Sequence, residues 1–183
     1  AQESRGLGDV YKRQKLVDAA KEAGADCVKF QTYITENDTA ESCEKAEYQK
    51  TKQEESQFSL LKRLELSSDD FRKLQEYCQK KKILFLSTPF DIESFYFLES
   101  IGMPMWKIAS SEVENFQLLK AVARTHKPVI LSTGMCDIQE IEETVKVLKR
   151  FNAGEISILH CNTQYPTPME DVNLSAMKEI KDM

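Results

Sequence analysis

The sequence predicts an α/β fold in which parallel strands alternate with helices. Two observations predict it. First, five short runs are mainly apolar, two of them with a lysine inside: residues 27–30, 83–86, 105–108, 128–131 and 156–159. Such strands are covered on both faces, and stretches with helical spacing lie between them. Second, each run turns polar at its carboxyl end. Lys29-Phe30-Gln31-Thr32, Ser87-Thr88-Pro89, Ser110-Ser111-Glu112, Ser132-Thr133-Gly134 and His160-Cys161-Asn162-Thr163 all follow this design. Polar groups at successive strand ends imply one shared site. An open doubly wound sheet and a barrel both fit. No G-x-G-x-x-G follows a strand, so a dinucleotide-binding sheet has no support. The barrel also accounts for polar residues at every strand end.

The elements follow in order. Residues 1–14 announce no element and are read as a non-native or disordered leader, with a natural flexible terminus as the alternative. Leu16, Val17, Ala20 and Ala23 have helical spacing, and Gly24 is a stop signal. After the first strand comes a long polar stretch, residues 35–57. A loop of that length is either a lid or a solvated insertion. Residues 58–66 suit a short helix. Ser67 then caps a helix with Phe71, Leu74 and Cys78 on its inner side. Its basic end, Lys80-Lys81-Lys82, suits the helix dipole and is read as structural. Pro89 breaks the second strand, and Asp91 caps the next helix. Gly102 and Pro104 lead into the strand around Trp106. Asn115 caps a helix with Leu118, Leu119, Val122 and Ala123 inside. Asp137 with Glu140 reads as a capping box before Ile141, Val145 and Leu148. A last helix is expected around residues 174–180.

Composition narrows the function classes. The 183 residues are enough for one domain with a core, and 41% hydrophobic content excludes disorder. A net charge of -5 with interspersed signs argues against nucleic acid and against a polybasic membrane anchor. No apolar run approaches the roughly 20 residues of a membrane span, and no signal peptide opens the chain. The five cysteines are scattered without C-x-x-C spacing, so reduced thiols in a cytoplasmic protein are expected. Cys161 lies beside the strand-end residues and is read as a packing thiol, with a nucleophile as the alternative.

The chemistry centres on Met105-Trp106-Lys107-Ile108-Ala109-Ser110-Ser111-Glu112. A lysine in an apolar strand is costly unless something neutralises it. Hydroxyls beyond it can donate to an anion, and Glu112 can move a proton. Of the two histidines, His126 is expected in a solvated turn. His160 lies at a strand mouth and is not assigned to metal.

In order and spacing, five motifs resemble the N-acetylneuraminate (sialic acid) synthase family. They are Lys29-Phe30-Gln31-Thr32, Ser87-Thr88-Pro89-Phe90, Lys107-Ile108-Ala109-Ser110-Ser111-Glu112, Leu131-Ser132-Thr133-Gly134-Met135 and His160-Cys161-Asn162-Thr163-Gln164-Tyr165-Pro166. Glu170-Asp171-Val172-Asn173-Leu174 fits as well. The loop text Lys45-Ala46-Glu47-Tyr48-Gln49 resembles the bacterial branch. One departure is Ser111, where most members carry glycine; its Cβ is expected to narrow the site or shift the backbone.

The resemblance implies a TIM-type (β/α) barrel that joins phosphoenolpyruvate to N-acetylmannosamine. It implies that Lys29, Thr88, Lys107, Ser110, Ser132 and Thr163 bind phosphoenolpyruvate. Gln31, Glu112 and Tyr165 would face the sugar, with Glu112 catalytic. A divalent metal, manganese or magnesium, is implied, along with a homodimer when full length. The family's first strand, its last two strands with their metal-ligand histidines, and its C-terminal antifreeze-like domain have no counterpart here. Residues 15–183 are therefore read as an internal fragment, a partial barrel without catalytic activity of its own and without metal ligands. Related acceptors, the precursors of legionaminic or pseudaminic acid, remain open, as does a non-catalytic remnant. A second phosphate on the acceptor would need basic residues that the strand ends do not supply.

Overall fold

Five helix starts carry a side chain that satisfies an orphan N–H group, and the computed structural model, which describes residues 9–43 and 56–182, shows these caps made. The described helices are α1 (Asp9–Glu22), α2 (Thr35–Asp38), α3 (Gln57–Leu64), α4 (Ser68–Lys81), α5 (Ile92–Ser100), α6 (Phe116–Ala123), α7 (Ile138–Arg150) and α8 (Ala176–Lys181). The strands are β1 (Cys27–Thr32), β2 (Leu84–Pro89), β3 (Trp106–Ile108), β4 (Val129–Ser132) and β5 (Ile156–Leu159). The capped starts are those of α3, α4, α5, α6 and α7. Ser67 accepts from the Asp70 N–H, Asp91 from that of Ser94, and Asn115 from that of Leu118. Asp137 and Glu140 complete the reciprocal capping box of α7.

The chain forms two compact units, Ala1–Met103 and Pro104–Met183. In the first, β1 pairs with β2 in parallel, Lys29 level with Leu86 and Gln31 level with Thr88. Parallel neighbours share a face. Lys29, Gln31, Leu86 and Thr88 therefore lie on one face, and Phe30, Thr32, Phe85 and Ser87 on the other. On that second face the Phe30 and Phe85 rings stack at 5.4 Å, and the Thr32 and Ser87 hydroxyls bond at 2.7 Å. Helices α1 and α4 pack together, with Val17, Phe71, Leu74 and Cys78 fully or nearly fully buried.

In the second unit β3, β4 and β5 form a parallel sheet in chain order. Trp106, Ile108, Val129 and Leu131 are buried on one face. The Trp106 indole N–H is satisfied by Thr125 Oγ1 at 2.8 Å. Lys107, Ile130, Ser132, Ser157 and Leu159 fall on the other face by the same alternation.

Several expectations change. Helix α1 starts at Asp9, inside the segment read as a leader. Its inward side runs Val10, Arg13, Gln14, Val17 and Ala20, while Leu16 is 48% exposed. Two polar residues in that stripe hid it. Arg13 earns its place by donating to the Leu64 carbonyl at 3.1 Å. Pro89 ends β2 from within the strand, because the ladder bond there runs from the Phe90 N–H to Thr32 O. The polar stretch after β1 begins with a short helix. There the buried Thr35 donates from its N–H and hydroxyl to Glu65, which also pairs with Lys62. Residues 44–55, which include the motif at Lys45, lie outside the described residues. The basic run after α4 is structural as read: Lys81 pairs with Asp18 at 2.6 Å, and Lys82 takes the left-handed cap at φ 54°. Among the described residues, no helix is long and apolar enough to cross a membrane.

Two outcomes follow from this packing. Asp91 is buried, caps α5 and accepts the Ile34 N–H at 2.9 Å. Asp91→Ala removes a cap and strands a buried donor, so it should cost about 2–3 kcal/mol. Glu99→Ala, on the exposed face of α5, should stay within about 0.5 kcal/mol. Urea unfolding followed by Trp106 fluorescence reads both; equal midpoints would show that Asp91 is only a surface cap. The thiols also have a predicted order. Burial pushes the Cys78 thiol up to about 11 and raises Cys27 and Cys136. Alkylation needs the thiolate and access, so Cys43, which is exposed, should label first near pH 8 and Cys78 only on unfolding. Mass spectrometry of a labelling time course tests the order.

Candidate functional site

Lys107 sits in the middle of β3 and is buried to 7% exposure. Its Nζ donates to the Ile108 carbonyl at 2.7 Å and to Ser132 Oγ at 2.6 Å. Register makes the second contact possible. Lys107 is level with Ile130, and Ser132 is one pleat further along the same face.

Ser132 has a second partner. Cys161, just past β5, donates its thiol to Ser132 Oγ at 3.5 Å. A hydroxyl offers two lone pairs and one proton. Lys107 and Cys161 together fill both lone pairs. The Ser132 proton is left to donate, and no described residue is seen to accept it. Gly134 permits this geometry: a Cβ there would lie 3.2 Å from the Asn162 carbonyl carbon and 3.3 Å from that of Cys161. The loops after β4 and β5 thus touch backbone to backbone.

Glu112 ends a short 3-10 turn, Ser110–Glu112, directly after β3. It is 7% exposed. Ser111 Oγ donates to Glu112 Oε1 at 3.0 Å, and Asn115 Nδ2 donates to Oε2 at 2.9 Å. Ser110 lies in the same turn, and its carbonyl accepts the Cys136 thiol at 3.8 Å. Thr163 and Tyr165 follow β5 in exposed positions, Tyr165 at 66%. His160 is exposed, and His126 sits in an exposed turn where its Nδ1 bonds Asn152 O.

In the first unit, Lys29, Gln31 and Thr88 share one face of the β1–β2 ladder. Lys29 is exposed by area, yet desolvation by nearby protein atoms lowers its ammonium from the usual lysine range. Thr88 differs. It is 2% exposed, and its Oγ1 has no hydrogen-bond partner among the described residues. A buried hydroxyl without a partner costs about 1–3 kcal/mol.

Three features escaped the sequence. Asn115 was legible as a cap, but not as a donor to Glu112. Ser111 was read only for its bulk, yet its hydroxyl holds a carboxylate. Cys161 was read as packing, yet it completes the Ser132 shell. Strand register signals only the last. Among the described residues, no group of three or more His, Cys, Asp or Glu side chains could hold a metal ion. The metal that the resemblance implies does not fit these residues, and no step is assigned to it here.

The arrangement suits binding of an anion next to a held carboxylate. An uncharacterised protein of Methanocaldococcus jannaschii is 46% identical over 96% of this chain and 49% of its own length. The N,N'-diacetyllegionaminic acid synthase of Campylobacter jejuni is 42% identical over 96% of this chain and 54% of its own. The crystal structure of the N-acetylneuraminic acid (sialic acid) synthetase of Leptospira borgpetersenii, in complex with citrate, superposes with a TM-score of 0.82. It is 34% identical, over 96% of this chain and 57% of that one. The chain spans about half the length of the curated relatives it matches. Residues 16–183 match the NeuB family, and the chain belongs to it.

Proposed function

We propose that the protein carrying this chain is a phosphoenolpyruvate-dependent transferase that forms a carbon–carbon bond in the synthesis of a sialic-type nonulosonic acid. The observation that carries this reading is the Ser132 hydroxyl. Its lone pairs are occupied by Lys107 and Cys161, so it presents a proton beside a buried cation. A phosphate or carboxylate accepts from both groups, and phosphoenolpyruvate carries one of each.

In the reaction, C3 of phosphoenolpyruvate bonds to the aldehyde carbon of the open-chain sugar. The aldehyde oxygen takes a proton and becomes a hydroxyl. Water adds at C2 and gives one proton to Glu112; the bond from C2 to the phosphate oxygen then breaks, the remaining hydroxyl proton leaves with inorganic phosphate, and C2 becomes the ketone carbon. Lys29, Thr88, Lys107, Ser110, Ser132 and Thr163 are the proposed phosphoenolpyruvate ligands. Gln31 and Tyr165 are proposed for the sugar. A divalent metal, manganese or magnesium, is proposed with ligands outside the described residues. A homodimer in the cytoplasm is the proposed setting. The first acceptor proposed is N-acetylmannosamine. A second reading, the diacetylated hexose that leads to legionaminic acid, is favoured by the 42% identity with the Campylobacter jejuni enzyme.

Phosphate release by a protein of the relatives' full length, given phosphoenolpyruvate and each acceptor with manganese, tests the reading. Lys107→Met keeps the apolar stem and removes the charge. It should lower kcat/KM for phosphoenolpyruvate about ten- to a hundredfold, the equivalent of about 1.5–3 kcal/mol. Ser132→Ala should lower it in the same direction by a smaller factor. Lys73→Ala, on the exposed side of α4, should change nothing. Equal kinetics for the Lys107 and Lys73 variants would remove Lys107 from the anion site. No phosphate release with any acceptor would overturn the function.

A further inference from the structure

We propose that Ser111 and Asn115 are positioning residues that clamp the Glu112 carboxylate, one donor on each oxygen. The inference rests on the proposed function, in which Glu112 takes the proton of the attacking water. Ser111 Oγ donates to Oε1 at 3.0 Å and Asn115 Nδ2 to Oε2 at 2.9 Å. Each carboxylate oxygen has about two lone-pair sites. The two donors take one on each oxygen. With both oxygens held, the carboxylate plane cannot rotate about its own axis.

The two donors reach Glu112 by different routes. Ser111 precedes it in the 3-10 turn, so its bond is local and sets the side chain against the backbone that carries it. Asn115 begins α6. Its Oδ1 accepts the Leu118 N–H at 3.2 Å while its Nδ2 donates to Glu112. One amide thus closes the helix start and the carboxylate together. The α6 residues Leu118, Leu119, Val122 and Ala123 are buried, so the anchor is a packed element. Position 111 then does more than fill space: its hydroxyl is a donor to the proposed base.

The two roles of Asn115 can be separated. Asn115→Asp keeps an N-cap acceptor of equal rank but loses the donor and sets a second carboxylate against Glu112. In the full-length protein, α6 stays capped, while the thermal midpoint should fall because a second carboxylate stands against the buried Glu112. The kcat should fall about tenfold or more, the equivalent of one charge-assisted hydrogen bond, with KM for phosphoenolpyruvate unchanged. Ser111→Ala should lower kcat, and Ser111→Thr, which retains the hydroxyl, should restore it. Wild-type kcat in Asn115→Asp, or equal values for Ser111→Ala and Ser111→Thr, would overturn the clamp. A second readout does not need turnover. In protein labelled with ¹³C at the glutamate carboxyl carbon, the Glu112 resonance should move in Ser111→Ala and Asn115→Asp and return in Ser111→Thr. If the resonance moves as expected in a protein that releases no phosphate, the clamp stands and the proposed function fails. If it is indifferent to all three changes, the clamp fails whatever the activity.

Discussion

The buried ammonium of Lys107 is the constraint on which the second unit depends. Removing a lysine charge from water costs several kilocalories per mole unless hydrogen bonds replace the lost hydration. Charge-assisted bonds contribute about 1.5–3 kcal/mol each. The bonds to Ile108 O and Ser132 Oγ therefore offset a cost of the same order. The Ser132 bond also fixes register. A one-residue slip of β4 against β3 would turn Ser132 to the face that holds Trp106 and Leu131, and Lys107 would lose its partner. Burial of Trp106, Ile108, Val129 and Leu131 opposes the same slip from the other face. Packing and polar pairing thus specify one register together.

What was legible in the sequence followed from local chemistry. Ser67, Asp91, Asn115 and Asp137 cap helices because a short polar side chain before an apolar stripe leaves few alternatives. The five strands were legible because each is a short, mainly apolar run that turns polar at its carboxyl end. Helix α1 was less so, since its inner face depends on Arg13 reaching Leu64, fifty-one residues away in sequence. No window of local periodicity contains that contact. Helix ends and strand ends moved by a few residues for the same reason. Thr32 joins β1 because Phe90 bonds to it, not because of its own propensity.

The candidate site divides along the same line. Residue types at strand ends were legible, because lysines, hydroxyls and a glutamate after apolar runs have few other uses in such numbers. Their pairings were not. That Lys107 meets Ser132, and that Cys161 meets the same oxygen, depends on β3, β4 and β5 standing in order with a fixed stagger. Asn115 shows a further limit. Its capping role explained it fully at the level of sequence, and a residue that already has a reason hides its second one.

Two hydroxyls, one in each unit, are left with a proton to donate. In the first unit the neighbouring Thr32 and Ser87 side chains satisfy each other at 2.7 Å, the ordinary outcome for buried hydroxyls. Thr88, the next residue along β2, turns to the opposite face and stays without a partner although it is buried. In the second unit, Ser132 accepts two donors and keeps its proton. Each is a donor that the protein does not consume internally. Valine in place of Thr88 would keep the branched shape and drop the unmade bond, so stability alone gives no reason for the hydroxyl. Under the proposed function, an acceptor arriving with a substrate would give one: the unmet donor lowers folding stability slightly and would return it as directed binding of an anion.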